Sequence, residues 1–169
     1  MPAPCTAAPG FFCKKGSADG TGVAAKPGYF AAGGAALEEA CTAAPGKYCK
    51  GQSSSAEGDA DCPAGSYCIG FHFLALPCTA TPGFYCPAGS SDSNGVICPE
   101  GFGCPGADAV KQPCEAPPGS HCPPGSWDVQ GVLCPSGQYC QGAEAAPQPC
   151  TCEAGKFCAG TALQVKRPN

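Results

Sequence analysis

The sequence predicts a small disulfide-rich fold: tandem units of about 18 residues, paired into 36-residue cysteine-rich repeats of short β-hairpins and turns, stacked into a rod with little or no helix. Three observations carry this expectation. Seventeen cysteines stand among 169 residues, a share that marks a disulfide scaffold made in an oxidising compartment. Glycine (25) and proline (20) together exceed a quarter of the chain, which places turns everywhere and leaves little room for helix. A core of the form G-x-aromatic-Cys returns at an almost constant interval along the whole chain.

The apolar fraction of 43% overstates the core, because much of it is Ala and Cys, with one Met and one Trp. Little bulky side chain is therefore present to bury. The formal charge of −4 and pI near 5.0 give no basic face for phosphate, so nucleic acid is not an expected partner. The longest bulky apolar run, "FHFLAL" from Phe71 to Leu76, falls far short of the ~20 residues that span a bilayer. The opening "MPAPCTAAPG" lacks a charged n-region followed by an apolar h-region, so the chain is expected to be a mature product or a fragment.

The glycine of the core recurs at Gly10, Gly28, Gly46, Gly65, Gly83, Gly101, Gly119, Gly137 and Gly155, in steps of 18 residues with a single step of 19. Odd-numbered units read C-x7-C, as in "CTAAPGKYC", and even-numbered units read C-x5-C, as in "CPAGSYC". The full frame divides the chain into repeats at 1–40, 41–77, 78–113 and 114–149, with a partial fifth at 150–169. In the second unit, "AKPGYFA", Ala25 and Ala31 occupy the positions of Cys62 and Cys68. A paired loss leaves no orphan thiol if those two positions bond to each other. The same logic predicts Cys62–Cys68, Cys98–Cys104 and Cys134–Cys140 in even units. In odd units it predicts Cys5–Cys13, Cys41–Cys49, Cys78–Cys86, Cys114–Cys122 and Cys150–Cys158. A rival map joins neighbouring units, for example Cys49 to Cys62, Cys68 to Cys78 and Cys13 to Cys41, and spacing alone does not decide between them. The ninth unit carries both first-cysteine positions, Cys150 and Cys152, which leaves Cys152 over for an intermolecular bond or for a chain that ends mid-repeat.

Pro or Ala before the turn glycine suits a type II turn, in which Gly supplies the positive φ and the segment folds back so that its cysteines meet. An aromatic fills the next-but-one position in Phe12, Phe30, Tyr48, Tyr67, Tyr85, Tyr139 and Phe157, with Gly103 and His121 as departures. A bridge closing seven to nine residues contributes about 2 to 3 kcal/mol in the chain-entropy view. Ordering one residue costs about 1 to 2 kcal/mol, so a single unit must stack on its neighbour to be stable. The first repeat, one bridge short, is expected to be the softest.

Chemistry-bearing residues are few. Zinc would require short pairs such as C-x2-C, usually with histidine, and His72 and His121 stand beside no such pair. A redox C-x-x-C and a G-x-S-x-G nucleophile turn are both absent, so no catalytic residues and no cofactor are expected. "GSADGTGV", "GSSDSNGV" and "GSWDVQGV" place Asp19, Asp92 and Asp128 alike; one Asp before a Gly reads better as an Asx-type turn than as a calcium loop. Phe71, His72, Phe73 and Leu74 fill a spacer that is small or polar elsewhere, either as a contact patch for another chain or as cover for the rod. No N-x-[ST] sequon occurs, while "QSSSAEG" and "GSSDSNG" are candidate sites for O-linked glycans.

The segments "CPAGSYCIG", "YCPAGSSDSNGVICPEGFGCPG" and "HCPPGSWDVQGVLCPSGQYCQG" resemble the ephrin-receptor-like cysteine-rich repeats, distant relatives of growth-factor-receptor and tumour-necrosis-factor-receptor modules. Similar arrays occur in large secreted and surface proteins of protists and algae, including proteins of flagellar hairs, the mastigonemes. The resemblance implies an extracellular or cell-surface module without catalysis. Its roles would be structural or fibre-forming, through self-assembly or contact with other extracellular proteins. The alternative it leaves open is a receptor or adhesin ectodomain that binds a protein or glycan.

Overall fold

The structure, a computed structural model, describes residues 4–17, 20–71, 74–107 and 109–150, together with the backbone of two strands at 156–158 and 163–165. Among these residues there is no helix. Short strands pair in chain order into two-stranded antiparallel ladders. The first four ladders are β1 (Phe11–Phe12) with β2 (Val23–Ala24), β3 (Tyr29–Phe30) with β4 (Glu39–Ala40), β5 (Lys47–Tyr48) with β6 (Ala60–Asp61), and β7 (Ser66–Tyr67) with β8 (Leu76–Pro77). Then follow β9 (Phe84–Tyr85) with β10 (Val96–Ile97), β11 (Phe102–Gly103) with β12 (Gln112–Pro113), β13 (Ser120–His121) with β14 (Val132–Leu133), and β15 (Gln138–Tyr139) with β16 (Gln148–Pro149). The last ladder joins β17 (Lys156–Cys158) to β18 (Leu163–Val165).

Each ladder is short for a local reason. The first strand begins after a turn glycine and ends at or beside a cysteine position, while in the first eight ladders its partner ends just before the next unit's first cysteine position. Where that partner ends in Pro77, Pro113 or Pro149, the residue has no N–H to extend the ladder. The turn preceding each of β1, β3, β5, β7, β9, β11, β13 and β15 is type II in kind. The residue after the glycine donates its N–H to the carbonyl three residues back, as in Lys47 to Ala44 and Phe84 to Thr81, both at 3.0 Å. The turn glycines hold φ between 79° and 93°. Such values favour glycine strongly.

The chain forms two compact bodies, one from Met1–Cys78 and Cys86–Ser93, the other from Thr79–Tyr85 and Asn94–Asn169. In the first body, the N–H groups of Gly10, Gly28, Gly46 and Gly65 donate to the carbonyls of Ala31, Cys49, Cys68 and Cys86 in the following unit. Returning bonds run from Ala25, Cys41, Cys62 and Cys78 to the carbonyls of Gly10, Gly28, Gly46 and Gly65. The second body repeats this register, with Gly83, Gly101 and Gly119 donating to Cys104, Cys122 and Cys140, and Cys98, Cys114 and Cys134 donating back. The turn glycine is thus a two-way junction to the next unit, and at Gly10, Gly46, Gly83 and Gly101 a side chain would intrude. A Cβ on Gly46 would overlap the carbonyl of Gly89, and one on Gly83 would lie 2.6 Å from that of Gly125.

The interior is made of cystine and alanine, as the composition foreshadows. The position three before the turn glycine is buried in Ala7, Ala25, Ala43, Cys62, Ala80, Cys98 and Ala116, and half-buried at Cys134. In the second unit Ala25 and Ala31 are almost wholly buried and pack with Phe12 and the partly buried Ala35. A small apolar cluster therefore fills the place of the missing bridge.

Candidate interaction surfaces

Among the described residues seven disulfides close within their own units: Cys5–Cys13, Cys41–Cys49, Cys62–Cys68, Cys78–Cys86, Cys98–Cys104, Cys114–Cys122 and Cys134–Cys140. Their Cα separations, 5.7 to 6.5 Å, lie in the range a disulfide bridges without moving the backbone. Cys150 also takes part in a disulfide, whereas Cys152 and the side chain of Cys158 lie outside the described residues. With these thiols oxidised, the bridged cysteines serve structure and offer no thiolate to a metal or substrate. Among the described residues no three His, Cys, Asp or Glu side chains gather as a metal-binding group. No helix among them is long and apolar enough to cross a membrane.

His121 sits in the aromatic position of its unit and pairs with Val132 across the β13–β14 ladder. It is buried, and its Nδ1 has no hydrogen-bond partner. Asp128 forms the Asx turn its spacing predicts: Oδ1 accepts the backbone N–H of Gln130 at 3.0 Å and of Gly131 at 3.1 Å. Asp92 is exposed in the equivalent loop, and Asp19 lies outside the described residues. Of the O-glycan candidates in "QSSSAEG", Ser54 and Ser55 are exposed, but Ser53 is fully buried. Its Oγ donates to Asp59 Oδ1 at 2.9 Å, which removes it as an acceptor for a glycan.

Phe71 and Leu74 are exposed, at 59% and 48%, while His72 and Phe73 lie outside the described residues. The backbone of Phe71 is nevertheless fixed. Its N–H donates to the Ala43 carbonyl at 2.6 Å, and its φ is 57°.

Among the described residues that left-handed geometry recurs three residues after each second-cysteine position, at Gly16, Gly34, Gln52, Phe71, Gly89, Ala107, Gly125 and Ala143. From the second unit onward the residue there makes an inter-unit bond: in the first body Gly34, Gln52, Phe71 and Gly89 donate to Ala7, Ala25, Ala43 and Cys62 of the preceding unit. In the second body Ala107, Gly125 and Ala143 donate to Ala80, Cys98 and Ala116. Sequence inspection overlooked this position, because glycine occupies only some of its instances.

Two other departures from the repeat prove to be neighbours. Gly103 replaces an aromatic because the segment Asp128–Val129 passes over it; a Cβ at Gly103 would overlap the Asp128 carbonyl and lie 2.8 Å from the Val129 nitrogen. Trp127 stands where the equivalent loops carry Ala18 and Ser91, and it is 64% exposed. Unit six keeps its aromatic one residue earlier, at Phe102, where the Lys111 ammonium lies 3.9 Å from the ring centroid.

Comparison of the chain with protein-family models, curated proteins and solved structures found no match.

Proposed function

We propose that this chain is a non-catalytic extracellular structural module, part of a surface or fibre-forming protein that works by self-assembly or by contact with other extracellular proteins. The resemblance to ephrin-receptor-like repeats supports the reading. The observation that carries it is the pairing of local covalent closure with regular inter-unit hydrogen bonding, as in Gly46 to Cys68 and Gly83 to Cys104. A unit closed by its own bridge and bonded to the next by backbone alone can be added or lost without redesign of its neighbours. The buried His121 and the turn-forming Asp128 fit a scaffold role rather than proton transfer. The exposed Phe71 and Leu74 supply apolar surface for a contact with another chain.

Electron microscopy of native, unreduced protein tests the proposal. Regular filaments that separate on reduction are expected, and Phe71→Ala combined with Leu74→Ala is expected to weaken their formation. Isolated monomers at all accessible concentrations would overturn the assembly reading.

A further inference from the structure

Trp127, Asp128 and Val129, with Pro82, Pro105 and Gln112, line an open cavity of about 390 Å³ in the second body. We propose that this cavity binds one pyranose ring of a neutral glycan, stacked on the Trp127 indole and hydrogen-bonded at its edge by Gln112 and Asp128. The inference stands on this site alone and does not depend on the assembly reading.

The cavity exists because two departures from the repeat converge. The absence of a side chain at Gly103 lets the 127–129 segment cross the β11 backbone, and that same segment carries the one tryptophan of the chain. Were Trp127 present to refill the lost aromatic position, it would be buried; at 64% exposure it is not. A large exposed ring beside proline faces, with a few polar groups at hand, has the make-up of a ligand site rather than of a core.

The chemistry of the lining selects the ligand. A sugar ring offers an apolar C–H face to an indole and hydroxyls to planar amide and carboxylate groups. The Asx turn consumes Asp128 Oδ1 and fixes the carboxylate, leaving Oδ2 as the acceptor. Gln112 presents an exposed amide from β12, its backbone held opposite Gly103. The sole charged lining residue is Asp128 and the chain carries −4 overall, which disfavours sialylated, sulfated or phosphorylated sugars. A polyproline segment fits less well. It would need successive aromatic-walled grooves along its length, and this cavity has one aromatic wall.

The single tryptophan makes the test direct. The whole oxidised chain is titrated with glucose, galactose, mannose, N-acetylglucosamine and a disaccharide of each, following Trp fluorescence. A saturable change with at least one of them is expected, at a Kd of about 1 mM for a single ring. Gln112→Ala, at an exposed position, is expected to weaken that ligand about fivefold with the fold intact. In Trp127→Ala, sugar-induced shifts of the Gly103 and Gln112 amide resonances are expected to vanish. No saturable response to any of the eight at about 50 mM would overturn the proposal. So would an unaltered affinity in Gln112→Ala, or saturation by a proline decapeptide in place of the sugars.

Discussion

Lys26 shows how a single residue can answer for a lost bridge. Even units place Pro directly after the first cysteine, at Pro63, Pro99 and Pro135, but unit two has Lys26 after Ala25. Its ammonium lies 3.0 Å from Glu38 and 4.0 Å from the centre of the Tyr29 ring, and its backbone N–H donates to the other Glu38 oxygen at 2.9 Å. Burial pushes the Glu38 carboxyl up, but the Lys26 backbone and ammonium bonds outweigh it and leave it below the ordinary carboxylate range. A depressed carboxyl contributes stability above its unfolded pKa and loses it as pH falls through the folded value. Acidification should therefore loosen residues 25–40 before the bridged units, and Glu38→Gln should remove this pH dependence. Hydrogen exchange of these amides across the acid range measures it; a flat profile in the parent chain would contradict the assignment.

The left-handed position makes a second residue-scale prediction. Ala107 and Ala143 hold φ of 53° and 52° to make their inter-unit bonds, a conformation that costs a side-chain-bearing residue about 1 to 2 kcal/mol. Glycine removes that cost but adds unfolded-state entropy. Ala143→Gly should then stabilise by about 0.5 to 1 kcal/mol in chemical denaturation, whereas a glycine placed at most other alanines destabilises.

At the scale of the element, the turn glycine and the bridge govern the unit. Gly46→Ala forces a methyl group to positive φ and into the Gly89 carbonyl, so a loss of about 2 kcal/mol or more is expected from denaturant unfolding. Restoring cysteine at both Ala25 and Ala31 should close one further bridge and add up to about 2 kcal/mol, read by thiol titration and thermal melting. The turns and the candidate pairings were legible in the sequence because Pro-Gly chemistry and cysteine spacing are local. The left-handed position was not, since the force that imposes it is a bond to a carbonyl in the preceding unit, and Gln52, Phe71, Ala107 and Ala143 accept the strain without a glycine to mark it. The same holds for the cavity. Gly103 stood out as a departure and Trp127 did not, and only the fold sets the 127–129 segment on Gly103. Ser53 was misread as a glycan candidate for a related reason, since its neighbours are polar while its own side chain is bonded inward to Asp59.

For the whole molecule, the balance of forces depends on oxidation. A core of cystine and alanine buries little bulky apolar surface, and each ordered residue costs about 1 to 2 kcal/mol. The bridges, at about 2 to 3 kcal/mol each, act by restricting the unfolded chain. Reduced protein should accordingly lose its dispersed amide spectrum at room temperature, and hairpins that persist without the disulfides would show that backbone stacking suffices alone. This dependence is the physical basis for expecting the chain in an oxidising compartment.

Local closure is the claim on which the fold, the proposed assembly role and the softness of the second unit all rest. It is tested most directly by mapping the disulfides of unreduced protein, digested with pepsin at acid pH so that thiolate exchange is suppressed. The expected map links Cys41 to Cys49, Cys62 to Cys68 and Cys78 to Cys86, with the same pattern in the units that follow. Peptides linking Cys49 to Cys62 or Cys68 to Cys78 would contradict it.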